Sequence, residues 1–503
     1  MLSTPVSLCF IISSCLTTTP RHANNNIMKL IKICLALFFL SVNAVAQGSD
    51  SQQFIRVSGP LIALTNVRVI DGTGAAPLEN QTIVIADGKI TMIGPTAATT
   101  FPATAKVVDI AGYTVLPGLV GMHNHLFFPE GGTPPIYSDM GISFPRLYLA
   151  LGVTTIRTTG SVAPYQDLEV KKRIDAGQMI GPKMHITAPY LEGKGSFTPV
   201  MHELTGPEDA RRMVNFWADQ GATSFKAYMN ISRAELRAAV EEAHKRGLKV
   251  TGHLCSIGYK EAAEIGIDNL EHGLFANSEY VADKKPDQCP AGVPASLRQL
   301  DINGPAAKET IRVLVEKKVA ITSTLPVFEA SAPLAQTGIG ASSALLNPRM
   351  LNTMSPDARV RYLSNRARVP ATSPALELIR KGMDFERAFV QAGGLLIAGL
   401  DPTGNGGVVA GFGDLRGVEL LVEAGFTPLE AIKIYSLNGA KFLGEEARIG
   451  SVAVGKQADL MIVKGNPAAK ISDIENVEFV FKDGVGWDTE KLIQSVQGLV
   501  GVR

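Results

Sequence analysis

Hydrophobic and polar positions change rhythm twice along the chain. Residues 61–115 alternate with a period of two in short runs, LIALTNVRVIDGTG, QTIVIADGKITMIG and KVVDIAGYTVLPG. Asp71-Gly72 and Asp87-Gly88 stand between apolar runs as turn signals, so the spacing predicts short, tightly joined strands. Residues 449–484 return to the same texture in IGSVAVGKQADLMIVKG and VEFVFKDG. These two β-rich flanks are expected to build one small sheet domain from both ends of the chain.

Between the flanks, apolar runs alternate with helical periodicity. TVLPGLVGMHNH, VTTIRTTG, KMHITAP, ATSFKAYM, LKVTGHL, IDNLEHG, VAITSTLPV and LLIAGLD make eight candidate strands. Helical stretches separate them, for example Gln166–Ala176 and Glu208–Asp219. Ser232 with Glu235 three residues later reads as a capping box, opening a helix that runs to His244 and stops at Gly247. Strand–helix alternation repeated eight times predicts the α/β class, as a (β/α)8 TIM barrel. Residues 331–385 lack clear periodicity and are too long for an ordinary barrel connection, so a lid or irregular excursion is expected there.

Composition adds limits. The chain has 503 residues, 46% apolar, with 48 Lys+Arg against 47 Asp+Glu. That suits a large barrel with an accessory domain, and excludes low-complexity, collagen-like and disulfide-rich classes. The near-neutral balance leaves no electrostatic footprint for nucleic acid. From Met28, MKLIK, ICLALFFLSV and NAVA form the three parts of a secretory signal, with cleavage expected after Ala46. The apolar core Ile33–Leu40 is far shorter than the ~20 residues that span a bilayer, so no stable membrane anchor is expected after cleavage. Met28 is read as the true start, and the mature protein as periplasmic. Removal of Arg21, Lys29 and Lys32 with the leader leaves 45 basic against 47 acidic residues. Cys255 and Cys289 are then the remaining cysteines, either one disulfide in an oxidising compartment or two buried thiols.

Five segments carry candidate chemistry, each at the C-terminal end of a predicted barrel strand, where barrel enzymes place catalytic groups. His123 and His125 are two apart, so both imidazoles point to one face. Lys226 ends an apolar strand, where an ammonium must lose hydration. His253 and His272 each follow an apolar strand, and Asp401 follows LLIAGL. Singly, each has an ordinary structural explanation. Together, nitrogen and oxygen donors converging on one barrel rim suit zinc or a similar divalent metal.

The segments LPGLVGMHNH, FKAYM, GHLC, LEHG and AGLDPTG resemble the amidohydrolase superfamily, as does the closing GFTPLEAIKIYSLNGAKFLG…IGSVAVGKQADLMIVKGNP. Within it, the chain looks most like imidazolonepropionase-like proteins and secreted Xaa-Pro dipeptidases. Beyond the leader over 1–46 read from its signal pattern, the resemblance implies a barrel over 116–445 and a composite β-sandwich built from 47–115 and 446–503. It implies two divalent ions, zinc by type: His123, His125 and Asp401 on the first, His253 and His272 on the second, and carboxylated Lys226 as the bridge. The implied reaction is hydrolysis of a C–N bond in a small molecule such as a dipeptide or N-acyl amino acid. A hydroxide between the ions would attack, with Asp401 as general base and then general acid. A lactonase or esterase using the same site is the alternative, and a homo-oligomer is compatible with either. Tyr228 either reaches the substrate or packs under the rim. His202 is a weaker candidate for substrate contact. Arg157 lacks the acidic neighbour that often follows it in related chains, which leaves its role open.

Overall fold

The eight expected strands are all present in the computed structural model, which describes residues 51–132, 134–403 and 407–502. They are β1 (Leu119–Asn124), β2 (Val153–Thr158), β3 (Lys183–Ile186), β4 (Ser224–Ala227), β5 (Lys249–Gly252), β6 (Asn269–Glu271), β7 (Ala320–Ser323) and β8 (Leu396–Ala398). β1, β2 and β3 form one parallel ladder, and β4 to β8 a second, in chain order. A parallel bridge from Thr187 to Ser224 links the end of β3 to β4. At the other side, the Asp401 amide donates to the His123 carbonyl at 2.9 Å. Every residue of β1, β2, β4, β6, β7 and β8 is buried, as expected of parallel strands covered on both faces. Helices lie between the strands, among them Pro207–Gln220 and Arg233–Lys245, the latter opened by the Ser232–Glu235 capping box.

Both flanks join in one nine-stranded sheet. Its order is Ile55–Val57, Val485–Asp488, Val477–Lys482, Leu460–Lys464, Tyr113–Pro117, Leu61–Val69, Leu78–Ala86 and Lys89–Pro95, with Lys106–Asp109 pairing beside Leu61–Val69. The junction is antiparallel, Leu460 opposite Pro117 and Lys464 opposite Tyr113. Ile62, Leu64, Ile83 and Val115 from the first flank share a buried cluster with Leu460, Ile462, Phe479 and Phe481 from the second. Asp87-Gly88 and Asp483-Gly484 make the two-residue hairpin turns, all four at positive φ, the backbone such turns require. Lys183, at the start of β3, ties the sheet to the parallel strands through Asp459 at 2.6 Å and Asp483 at 2.9 Å.

The stretch without periodicity is largely helical: Ser342–Leu345, Pro348–Thr353, Pro356–Ala367 and the start of Ala375–Gln391. The first two helices are too short to display a 3.6-residue repeat. Asn347 and Ser355 cap the second and third, each followed by proline at the first helical position. The chain's last described residues hold this region down: the Ser355 amide donates to Val500 O at 2.8 Å, and Val502 N donates to Glu130 at 2.6 Å. The leader and its cleavage point after Ala46 lie outside the described residues. Among the described residues, no helix is long and apolar enough to cross a membrane.

Candidate active site

The six strand-end residues converge. His123 Nε2 lies 3.3 Å from Lys226 Nζ and 3.6 Å from an Asp401 oxygen, and His125 Nε2 lies 3.4 Å from that same oxygen. His272 Nδ1 is 3.8 Å from the other Asp401 oxygen, and the His253 and His272 rings are 4.4 Å apart. Ligand atoms of His123, His272 and Asp401 fall within 4.8 Å of one another. The pleat of β1 turns His123 and His125 to one side. His272 and Asp401, just beyond β6 and β8, have φ of +69° and +54°. Left-handed backbone costs an L-residue about 1–2 kcal/mol, so these turns are held by their surroundings.

Burial dominates the electrostatics. It pushes the imidazoles down, His125 to about 4 and His253 to about 3, with His123 and His272 lowered in the same direction. It also lowers the Lys226 ammonium to about 8, against the pull of Glu271 and Asp401. Burial alone would raise Asp401, but His123, His125 and His272 outweigh it and hold the carboxyl well below the usual range. Asp401 is partly open, at 22%, whereas the His123, His125 and His272 side chains are buried. Unprotonated imidazoles beside a carboxylate are the ligand form that a divalent cation requires. His125 donates from Nδ1 to the Gly160 carbonyl at 3.1 Å, and His272 Nδ1 shares a hydrogen bond with Thr324 at 2.8 Å. His123 Nδ1 meets Glu271 at 2.7 Å. Each of these rings therefore has one nitrogen tied back into the protein and the other available for a ligand, as metal-binding histidines do. The residues present fit a divalent metal.

Aromatic side chains wall the cluster. Phe127 stacks on His125 at 4.4 Å, and Tyr228 lies 5.1 Å from His253 and 4.8 Å from Tyr190. Phe127, Tyr190 and Met201 form a buried apolar group, with Tyr137 and Tyr228 packed on it. Phe328 flanks His272 on another side at 5.9 Å. Two residues beyond His253, Cys255 is disulfide-bonded to Cys289.

The other histidines among the described residues are engaged elsewhere. His202 pairs with Asp209 at 3.0 Å, His185 with Glu445 at 3.2 Å and His244 with Asp268 at 2.9 Å. No described contact joins His202 to the six-residue cluster. The sequence reading overlooked Glu271, which bonds His123, and left open the role of Arg157, which bonds Glu271 at 2.7 Å. The available signal was a carboxylate inside a fully buried strand, next to His272.

Residues 114–485 match the family model for the Amidohydrolase family. The chain is a member of that family. Membership and the solved neighbours imply an α/β protein of TIM-barrel type. A Bifidobacterium longum protein assigned as a prolidase is 25% identical, with a TM-score of 0.62 over 87% of this chain and 98% of its own. A Xaa-Pro dipeptidase solved with methionine in its active site is 21% identical, with a TM-score of 0.63 over 85% of this chain and 100% of its own length. An enamidase of Eubacterium barkeri is 27% identical over 186 residues, 32% of this chain and 47% of that one. The chain spans about half the length of the curated relatives it matches.

Proposed function

We propose that this protein is a metal-dependent hydrolase that cleaves a C–N bond in a small substrate such as a dipeptide or an N-acyl amino acid. The observation that carries the reading is the convergence of four unprotonated imidazoles, one lysine and one carboxylate at the ends of parallel strands. His123, His125 and Asp401 would hold one divalent ion, His253 and His272 a second, both zinc by donor type. Lys226, lowered to about 8, has roughly a tenth of its amine free at pH 7, the form that takes up CO2. The resulting carbamate would replace a cation-repelling ammonium with an anionic donor to the metal. When bound, the ions supply Lewis acidity and make water a competent nucleophile near neutral pH.

The chain's own groups do the rest. Asp401, ionised and partly open, accepts a proton from the attacking water and returns it to the leaving nitrogen. Burial pushes the Tyr228 phenol up, so it stays protonated and can donate a hydrogen bond to a substrate carboxylate or to the developing oxyanion. The wall of Phe127, Tyr137, Tyr190 and Tyr228 excludes water and favours an apolar or aromatic group beside the scissile bond. The bridge from Thr187 to Ser224 and the bond from Asp401 to His123 support closure of the two ladders into one (β/α)8 barrel over 116–445. The shared sheet supports a composite β-sandwich from 47–115 and 446–503. Export to the periplasm accords with the Cys255–Cys289 bond, since disulfides persist in oxidising compartments.

The test is amine release by the zinc-loaded protein from a panel of dipeptides and N-acyl amino acids. Release from a subset, favouring apolar side chains, is the expected result. No release from protein shown to hold metal would overturn C–N hydrolysis and turn the assignment to lactones and esters.

A further inference from the structure

We infer that Glu271 and Arg157 are positioning residues that fix the direction in which His123 presents its outer nitrogen to the cluster. The inference rests on the reading of that cluster as a metal centre. Glu271 accepts from His123 Nδ1 at 2.7 Å through one oxygen, and from Arg157 at 2.7 Å through the other. Thr251 also bonds the second oxygen. Arg157 reaches further: its Nε donates to the Met122 carbonyl at 2.8 Å, one residue before His123, and it donates to the Asn269 side chain at 2.9 Å. Arg157 therefore grips His123 twice, through the strand backbone and through the carboxylate on its ring.

The placement is costly, which argues for a purpose other than stability. Barrel interiors are normally filled by branched apolar side chains. Here His123 and Glu271 are 0% exposed and Arg157 is 1% exposed. An ion pair taken wholly out of water is often no more stable than apolar residues of the same volume. Glu271 also gives His123 a partner different in kind from those of its neighbours. His125 is tied to a neutral carbonyl and His272 to a hydroxyl, whereas His123 faces a carboxylate. A carboxylate on Nδ1 fixes the tautomer, stops the ring from rotating, and makes Nε2 a stronger donor.

Zinc affinity by chelator competition, on wild type, Glu271→Leu and Glu271→Gln, tests this. Outer-sphere partners of ligating histidines typically change metal affinity by about 10–100-fold. Glu271→Leu is expected to weaken one zinc equivalent by that amount. Glu271→Gln keeps the shape and one acceptor, so it should recover part of the loss and guards against a leucine variant that does not fold. Cobalt-substituted Glu271→Gln should show a shifted visible absorption spectrum, which a purely packing role would not produce. Unchanged affinity and spectrum in folded Glu271→Gln would overturn the positioning role while leaving the metal centre intact. A wild-type protein that binds no zinc or cobalt would overturn both.

Discussion

The strand-end cluster and the nine-stranded sheet follow opposite rules. In the sheet, the alternating apolar positions of both flanks face one shared core, and the positive-φ aspartates Asp87 and Asp483 each precede a glycine in a hairpin turn. Local preference and global packing agree there. At the strand ends, His272 and Asp401 take left-handed backbone, four imidazoles crowd a carboxylate, and Arg157 and Glu271 form an ion pair away from water. Departures from local consistency that cluster in one place mark a site shaped for chemistry, supported by the consistent remainder.

The comparison breaks most visibly at Asp401. Replacing a proton-transferring group typically costs about 10²–10⁴-fold in rate. Asp401→Asn should therefore lose that much kcat/KM in the amine-release assay, while asparagine tolerates the same left-handed backbone. Thermal unfolding of the metal-free variant should change little near neutral pH, where the imidazoles that favour the ionised carboxyl are themselves unprotonated. A large drop in Tm would mean the cluster stabilises the fold, contrary to the contrast drawn above. The converse substitution is Phe481→Ala in the sheet core, where the side chain is fully buried. It should cost about 3–5 kcal/mol in denaturant unfolding. Activity per folded molecule should remain within about twofold of wild type, because Phe481 belongs to the sheet's own hydrophobic cluster.

The same contrast explains what was legible in the sequence. Hairpin alternation, Asp-Gly turns and apolar runs ending in His, Lys or Asp are local signals, and they located both sheet flanks, all eight strands and the six converging residues. The Arg157–Glu271 pair was not legible: the two positions lie 114 residues apart, and Arg157 has no acidic neighbour in sequence. The cysteine pairing stayed open because it depends on how two loops 34 residues apart approach each other. Residues 331–385 hid their first two helices because helices of four and six residues carry no periodic signature.

Glu386 sharpens the comparison through pH. It is fully buried in Ala375–Gln391, close to Ser323 at the end of β7, with no hydrogen bond of good geometry to either oxygen. Burial pushes its carboxyl up to about 8 from an ordinary 4.5. Between those values the folded state holds a proton that the unfolded state has released, so stability falls as pH rises through this window. Glu386→Gln removes that slope. The variant should be more stable than wild type at pH 9, by on the order of a few kcal/mol, and little changed at pH 4. Parallel curves of unfolding free energy against pH would show that Glu386 is not the group responsible.

The smallest effect tests whether the two regimes are insulated from each other. Ser232 opens the helix that follows Lys226 and Tyr228: its side chain accepts from the Glu235 amide at 3.3 Å, and Glu235 accepts from the Ser232 amide at 2.9 Å. Losing such a cap costs about 1 kcal/mol. The loop between Tyr228 and Ser232 has anchors of its own. The Asn230 amide donates to Glu192 at 2.7 Å, the Ile231 amide to Tyr228 O at 3.1 Å, and Ser256 to Ile231 O at 2.6 Å. Lys226 itself lies within β4, paired with β5. Ser232→Ala should therefore lower unfolding stability by about 1 kcal/mol and leave kcat/KM within about twofold of wild type. A fall in kcat/KM well beyond that would show that the cap positions Lys226 and Tyr228, and that the site draws on local consistency further out than its own strand ends.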